Sequence, residues 1–197
     1  MTIVIKKAEL IALLILVIFL AWTRTLQAAE FNRVLPEKSH ISFVYKQMNV
    51  PMEGSFQRFV GQLSFDPDKP ASTKAYMDID LASIDTGALD ADEEVRGKPW
   101  FNTSIYPQAQ FVSGAIKAVA PNHFDMNGKL TIKGRTRDVT LPVTFRRDGA
   151  NVIFEGALVL KRADFGIGEG VWADFGTVAN EVQVKIRLLA TTGIVKQ

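Results

Sequence analysis

From about Glu30 onward, apolar and polar residues alternate with a period of two, the spacing of strands that show one face to a core and one to water. Ile41, Phe43 and Tyr45 alternate with Ser42, Val44 and Lys46, and Phe59, Gly61, Leu63 and Phe65 alternate with Gln62 and Ser64. Met77, Ile79 and Leu81 against Tyr76, Asp78 and Asp80 form the cleanest case. Phe124, Met126, Gly128, Leu130 and Ile132 continue the pattern, followed by Val139, Leu141, Val143 and Phe145. Phe154, Gly156, Leu158 and Leu160, then Val182, Val184, Ile186 and Leu188, complete it. With the weaker segment 110–118, the pattern predicts eight strands. Turn residues stand between them at Asp66-Pro67-Asp68, Pro121-Asn122, Lys133-Gly134-Arg135 and Arg147-Asp148-Gly149-Ala150. Short links make consecutive strands neighbours, so the fold expected is all-β: an eight-stranded antiparallel up-and-down barrel, lipocalin-like, whose closure removes exposed edges.

One stretch breaks the period. Residues 86–102 carry Leu89, Val95, Trp100 and Phe101 among Asp90, Asp92, Glu93 and Glu94. This predicts one short helix between strands, with acidic residues suited to its first turn, then an ordered loop to Pro107. The helix is placed as a lid over one barrel mouth.

The first 29 residues read differently. Lys6 and Lys7 precede an apolar run from Leu10 to Trp22, and small residues Ala28 and Ala29 follow. A basic start, a short apolar middle and a small-residue end describe a signal peptide over 1–29, leaving 30–197 as one barrel domain. The run falls short of the roughly 20 residues that span a bilayer, so the mature chain is expected not to cross a membrane, with a retained anchor as the other reading. Removing the leader changes the charge. The whole chain has 23 Lys+Arg and 21 Asp+Glu, whereas the mature part has 20 of each. Without a net positive field there is little to displace counterions from phosphates, and a nucleic-acid partner is not expected.

Catalytic and metal chemistry find few candidates. The chain has no Cys and two His, which removes disulfides, thiolate nucleophiles and Cys-type zinc sites. The acidic run from Asp90 fails the calcium-loop template, because Val95 stands where Gly is needed and Phe101 where Glu is needed. Gly166-Ile-Gly-Glu-Gly170 has the wrong spacing for a dinucleotide loop and reads as a flexible link between the last two strands, near the channel mouth. His40 and His123 lack catalytic partners at a recognised spacing, and no nucleophile elbow is present. No catalytic residue, metal ligand or cofactor is assigned.

An eight-stranded barrel can fill its interior or leave room for one small ligand. Large inward aromatics with interspersed Gly61, Gly128 and Gly156 fit either a tapered solid core or an apolar tunnel, and periodicity does not choose between them.

Several motifs bear on that choice. Tyr45-Lys-Gln-Met-Asn-Val-Pro-Met-Glu-Gly-Ser-Phe56, Lys98-Pro-Trp-Phe-Asn-Thr-Ser-Ile-Tyr-Pro-Gln-Ala-Gln-Phe111 and Gly128-Lys-Leu-Thr-Ile-Lys-Gly-Arg-Thr-Arg-Asp-Val-Thr-Leu-Pro-Val143 stand in order along the chain. Arg162-Ala-Asp-Phe-Gly-Ile167 and Asn180-Glu-Val-Gln-Val184 follow. Together these resemble the YceI-like family of bacterial polyisoprenoid-binding, lipocalin-like proteins over about residues 31–190. The resemblance implies a periplasmic or secreted, non-enzymatic barrel that holds an isoprenoid-quinone-like or other long hydrophobic lipid, for transport, storage or sequestration. It turns inward side chains into ligand-lining candidates: Phe43, Tyr45, Phe59 and Leu63, then Met77 and Ile79, then Trp100, Phe101 and Phe111. Phe124, Met126, Leu130, Leu141 and Val143 follow, with Phe154, Leu158, Phe165 and Trp172. Tyr45, Trp100, Trp172 and the Asp164 region are candidates for the rim, since Tyr and Trp join an apolar body to a polar tip. The partner expected is a long-chain hydrophobic ligand, with a homodimer left open. The other reading is a solid-core barrel that serves as an interaction partner of a membrane redox complex.

Overall fold

A computed structural model describes residues 31–66 and 69–192, so the expected signal peptide over 1–29 and the Pro67-Asp68 part of the first expected turn lie outside the described residues. Eleven strands among the described residues form one antiparallel sheet: β1 (Phe31–Val34), β2 (His40–Gln47), β3 (Val50–Phe56), β4 (Phe59–Phe65), β5 (Lys74–Asp80), β6 (Ile84–Asp85), β7 (Gln108–Ala120), β8 (His123–Ile132), β9 (Arg135–Asp148), β10 (Asn151–Lys161) and β11 (Glu181–Thr191). Some are pieces of one bent stave. β1 and β2 both pair with β11, β3 continues into β4, and β5 runs through a short helical turn into β6, which pairs with β3. Merged in this way, the strands make the eight staves of a closed antiparallel meander, with β1 against β11 completing the ring.

The bends have local causes. Pro36 opens a single 3₁₀ turn between β1 and β2, and the Ser39 hydroxyl donates to Leu35 O while accepting from Leu189 N–H. Gln57 and Arg58 interrupt the next stave, and their N–H groups go instead to the carbonyl and hydroxyl of Ser83. Tight hairpins stand at Pro121-Asn122, Lys133-Gly134 and Gly149-Ala150, with positive φ at Asn122, Lys133, Gly134 and Gly149. The β2–β3 hairpin turns on Met48 and Asn49, both at positive φ without glycine.

Two hydrophobic clusters divide the interior along the barrel axis. At the end where β1 begins and β11 finishes, Phe31, Phe65, Met126, Val143, Val152, Phe154 and Leu188 meet across the axis. The Phe65 ring lies 4.9 Å edge-on from both Phe145 and Phe154. Phe124 stacks on Phe145 at 5.5 Å. This end is a solid aromatic plug, packed as protein interiors normally are.

The second cluster, around Leu81, Trp100, Leu130, Ile132, Phe165, Ile167 and Val178, sits at the other end beneath the helix α1 (Leu89–Arg96). All seven side chains line a hollow that this cluster leaves unfilled.

Candidate functional site

The hollow has a volume of about 500 Å³, within the range of small-molecule sites. Its walls are almost wholly apolar. Phe43, Met77, Ile79, Phe111, Leu130, Leu141, Leu158 and Ile186 line the shaft, and Leu141 and Met77 approach the plug. At the mouth it is framed by Tyr45 and Gln47 of β2, by Asp90, Ala91, Glu94 and Val95 of α1, and by Trp172 and Val178. The result is a tunnel open at one end and blind at the other.

The lid is held by a buried carboxylate. Asp92, 7% exposed, accepts at Oδ1 from both the N–H and the hydroxyl of Thr86, each at 2.7 Å. These bonds fix the corner between β6 and α1, so the helix lies with Ala91 and Val95 toward the hollow. On the rim, Trp172 Nε1–H donates to Glu94 Oε1 at 2.7 Å and ties the helix to the segment before β11.

That segment, residues 162–180, is organised around one cation. Arg162, 3% exposed, donates to the carbonyls of Ile167, Gly168, Trp172, Val178 and Ala179 at 2.7–3.2 Å. Its guanidinium also lies over the rings of Trp100 and Phe175, 5.5 and 5.1 Å from their centroids. Burial lowers the Arg162 pKa, and the charge of Asp174 opposes that shift. Gly168 sits at φ +76°, and a Cβ there would run into Arg162 Nη1 and the Trp100 ring.

Lys133, from the β8–β9 turn, adds a second clamp by donating to Gly166 O at 2.6 Å and to Glu169 Oε2 at 3.1 Å. The Lys133 hydrogen bond and charge, with help from Arg135, hold the Glu169 carboxyl below the usual carboxylate range. Gly168 and Glu169 N–H groups both donate to Pro99 O. The glycine-rich stretch expected to be a flexible link is therefore pinned on three sides.

Tyr45 faces the mouth half-buried, and its phenol pKa is raised by desolvation first and by the charge of Asp92 second. Trp100 is buried against Trp172, ring centroids 5.5 Å apart, and its Nε1–H has no hydrogen-bond acceptor among the described residues. No group of three or more His, Cys, Asp or Glu among the described residues could hold a metal ion.

Twelve of the residues expected to line a ligand face this hollow: Phe43, Tyr45, Met77, Ile79, Trp100, Phe101, Phe111, Leu130, Leu141, Leu158, Phe165 and Trp172. Six do not. Phe59, Met126, Val143 and Phe154 belong to the plug, Leu63 packs against it, and Phe124 stacks on Phe145. They point inward as their alternation requires, but at a level where facing side chains meet.

Of the two readings open for the inward glycines, Gly128 and Gly156 follow the close-packed one. A Cβ on Gly128 would strike the Phe111 ring, and one on Gly156 would come within 2.6 Å of Pro142 O, so both are points of close approach rather than open lumen. Asp164 lies outside the tunnel, in a cleft on the barrel wall. Periodicity also passed over Phe56, Val95, Val178 and Arg162. Ile41, Ile132, Val139, Leu160, Val182 and Ile186 shared the inward phase and could have been added from it.

The fold and the hollow can be set beside known proteins. Residues 33–190 match the YceI-like domain, which is most of the chain. The chain belongs to the YceI-like family. A UPF0312 protein of Azotobacter vinelandii is 32% identical over 139 residues, covering 68% of this chain and 70% of the relative. The crystal structure of BcnA from Burkholderia cenocepacia superposes with a TM-score of 0.79 at 48% identity, covering 81% of this chain and all of that one. A domain of Saccharophagus degradans described as polyisoprenoid-binding shares the fold, with a TM-score of 0.65 at 18% identity over 85% of this chain. No described helix is long and apolar enough to cross a membrane.

Proposed function

We propose that this chain is a non-enzymatic binding protein that holds an isoprenoid-quinone-like or other long hydrophobic lipid in its barrel, working in the periplasm or outside the cell. The observation that carries the reading is the apolar hollow of about 500 Å³, open under α1 and blind at the aromatic plug. Burying a hydrocarbon tail there gains about 25 cal/mol per Å² of apolar surface, so affinity needs no specific hydrogen bond. Tyr45 and Gln47 at the mouth can meet the polar oxygens of a head group. The rim elements also expose apolar side chains, including Leu89 of α1, Met48 of the β2–β3 hairpin, and Val171, which eases a tail's passage. Kinship to a family with polyisoprenoid-binding neighbours supports the same ligand class.

The test is direct. Residues 30–197 are expressed in bacteria, extracted with organic solvent and analysed by mass spectrometry. A co-purifying isoprenoid or other long-chain lipid is expected; finding none, together with no uptake of a prenylated quinone, would refute the reading.

A further inference from the structure

The tunnel is blind along the barrel axis, yet the wall beside it is not fully laced. β8 pairs with β9 along its whole length, from Ile132↔Arg135 to His123↔Thr144. β10 pairs with β11 throughout, from Asn151↔Thr191 to Lys161↔Glu181. Between β9 and β10, however, the register runs only from Asp148↔Asn151 to Val143↔Gly156 and then stops.

The stopping point has a chemical cause. Counted in twos from the pair that closes the hairpin, the even-numbered residues of β9 are those that turn their N–H groups toward β10. The next of them is Pro142, which has no N–H to give. Gly156 lies against Pro142 O at the same level. Beyond that point the two strands part and leave a cleft of about 580 Å³ on the outer wall, whose sides include Thr140, Pro142, Ala157, Val159 and Lys161.

Tunnel and cleft share walls. Val139, Leu158, Leu160 and Phe165 line both. The seam therefore stands where one layer of side chains separates the hollow from the outer cleft.

We propose that the β9–β10 seam is a side portal of the tunnel, through which an alkyl or prenyl tail too long for the blind chamber leaves the barrel wall and lies in the outer cleft. This rests on the lipid-binding reading above. It adds that chain length is not capped by the depth of the chamber. Leu158, Leu160 and Val139 contact the tail on its way out, and outside it lies along Ala157, Val159 and the aliphatic stems of Lys161 and Arg137, with Asp138, Asp164 and Gln183 forming the cleft's polar margin.

The chain contains no cysteine, so a thiol pair can be placed at will. Thr140→Cys with Val159→Cys puts outward-facing thiols on the two sides of the seam, and Asp138→Cys with Lys161→Cys provides an independent second pair. The full-length protein with either pair is stapled with a flexible bismaleimide, and its references are the same variant with free thiols and the unsubstituted protein. All three are titrated with a benzoquinone bearing about two prenyl units and with one bearing about eight. Stapling is expected to weaken the long-tailed quinone by about tenfold or more, the worth of two or three buried methylenes, and to leave the short-tailed quinone unchanged. If the stapled form binds both quinones as the free-thiol and unsubstituted proteins do, the portal is overturned while the carrier reading stands. If the unsubstituted protein binds neither quinone, the carrier reading fails and the portal with it.

Discussion

Arg162 shows how much of this site one residue can hold. Its donors satisfy five carbonyls of a segment with little regular structure, and it lies over the rings of both Trp100 and Phe175. Replacing it by Met would leave those carbonyls short of donors in a dry place. Arg162→Met should therefore cost about 3–5 kcal/mol in urea unfolding. Arg162→Lys should recover only a fraction, because one ammonium cannot span the fork. Glu169 works at lower stakes and depends on pH. Because contact with Lys133 depresses its pKa, its contribution is complete above the ordinary carboxylate value of about 4.3 and is lost as pH falls through the lower folded value. Tryptophan fluorescence of residues 30–197 should show a change in acid below about pH 4. The change should shrink in Glu169→Gln, with the remainder coming from Asp174, whose pKa is likewise lowered by the N–H of Gly176 and the hydroxyl of Thr177. An acid profile identical in the two proteins would contradict that role.

Among the elements, α1 matters most for access, and its buried fastening is the carboxylate of Asp92, with Glu94 tied to Trp172 on the rim. Asp92→Ala removes the acceptor of two buried Thr86 donors and should destabilise the protein by about 1–3 kcal/mol. It should also speed release of a bound quinone in stopped-flow measurements, while Asp92→Asn, which keeps one acceptor oxygen, should fall between. Most of the staves were legible in the chain because they have one wet face, and Met77-Asp78-Ile79-Asp80 is the plainest case. β3 was not, since it carries Pro51 and Gly54 and its first four residues are exposed, which erases the alternation. Its hairpin with β2 lacked a glycine to announce it. The stretch 166–170 misled for the opposite reason. Its glycines suggested freedom, whereas Gly168 is there because Arg162 and Trp100 leave no space for a Cβ.

At the scale of the whole molecule, the barrel is two things joined end to end, a plug and a chamber. The two readings open at the level of sequence, filled core and tunnel, each describe one half. Alternation reports which way a side chain points but not how far across the axis it meets another, so Phe154 and Leu158, four residues apart on one strand, looked equivalent. The seam was hidden as well, because Pro142 within an otherwise regular strand shows no sign of which neighbour it faces. The resemblance to YceI-like proteins pointed to the chamber, and the packing shows where it ends.

Both tryptophans within residues 30–197, Trp100 and Trp172, line that chamber, so occupancy can be read optically. The decisive measurement is a titration of residues 30–197 with a short-tailed prenyl quinone, following quenching of their emission. Quenching that saturates at one quinone per chain, and is reversed by a colourless long-chain alcohol competing for the same space, is the result expected. Quenching that grows linearly without saturation and ignores the competitor would mean that the quinone meets the tryptophans only by collision and that the chamber holds no lipid.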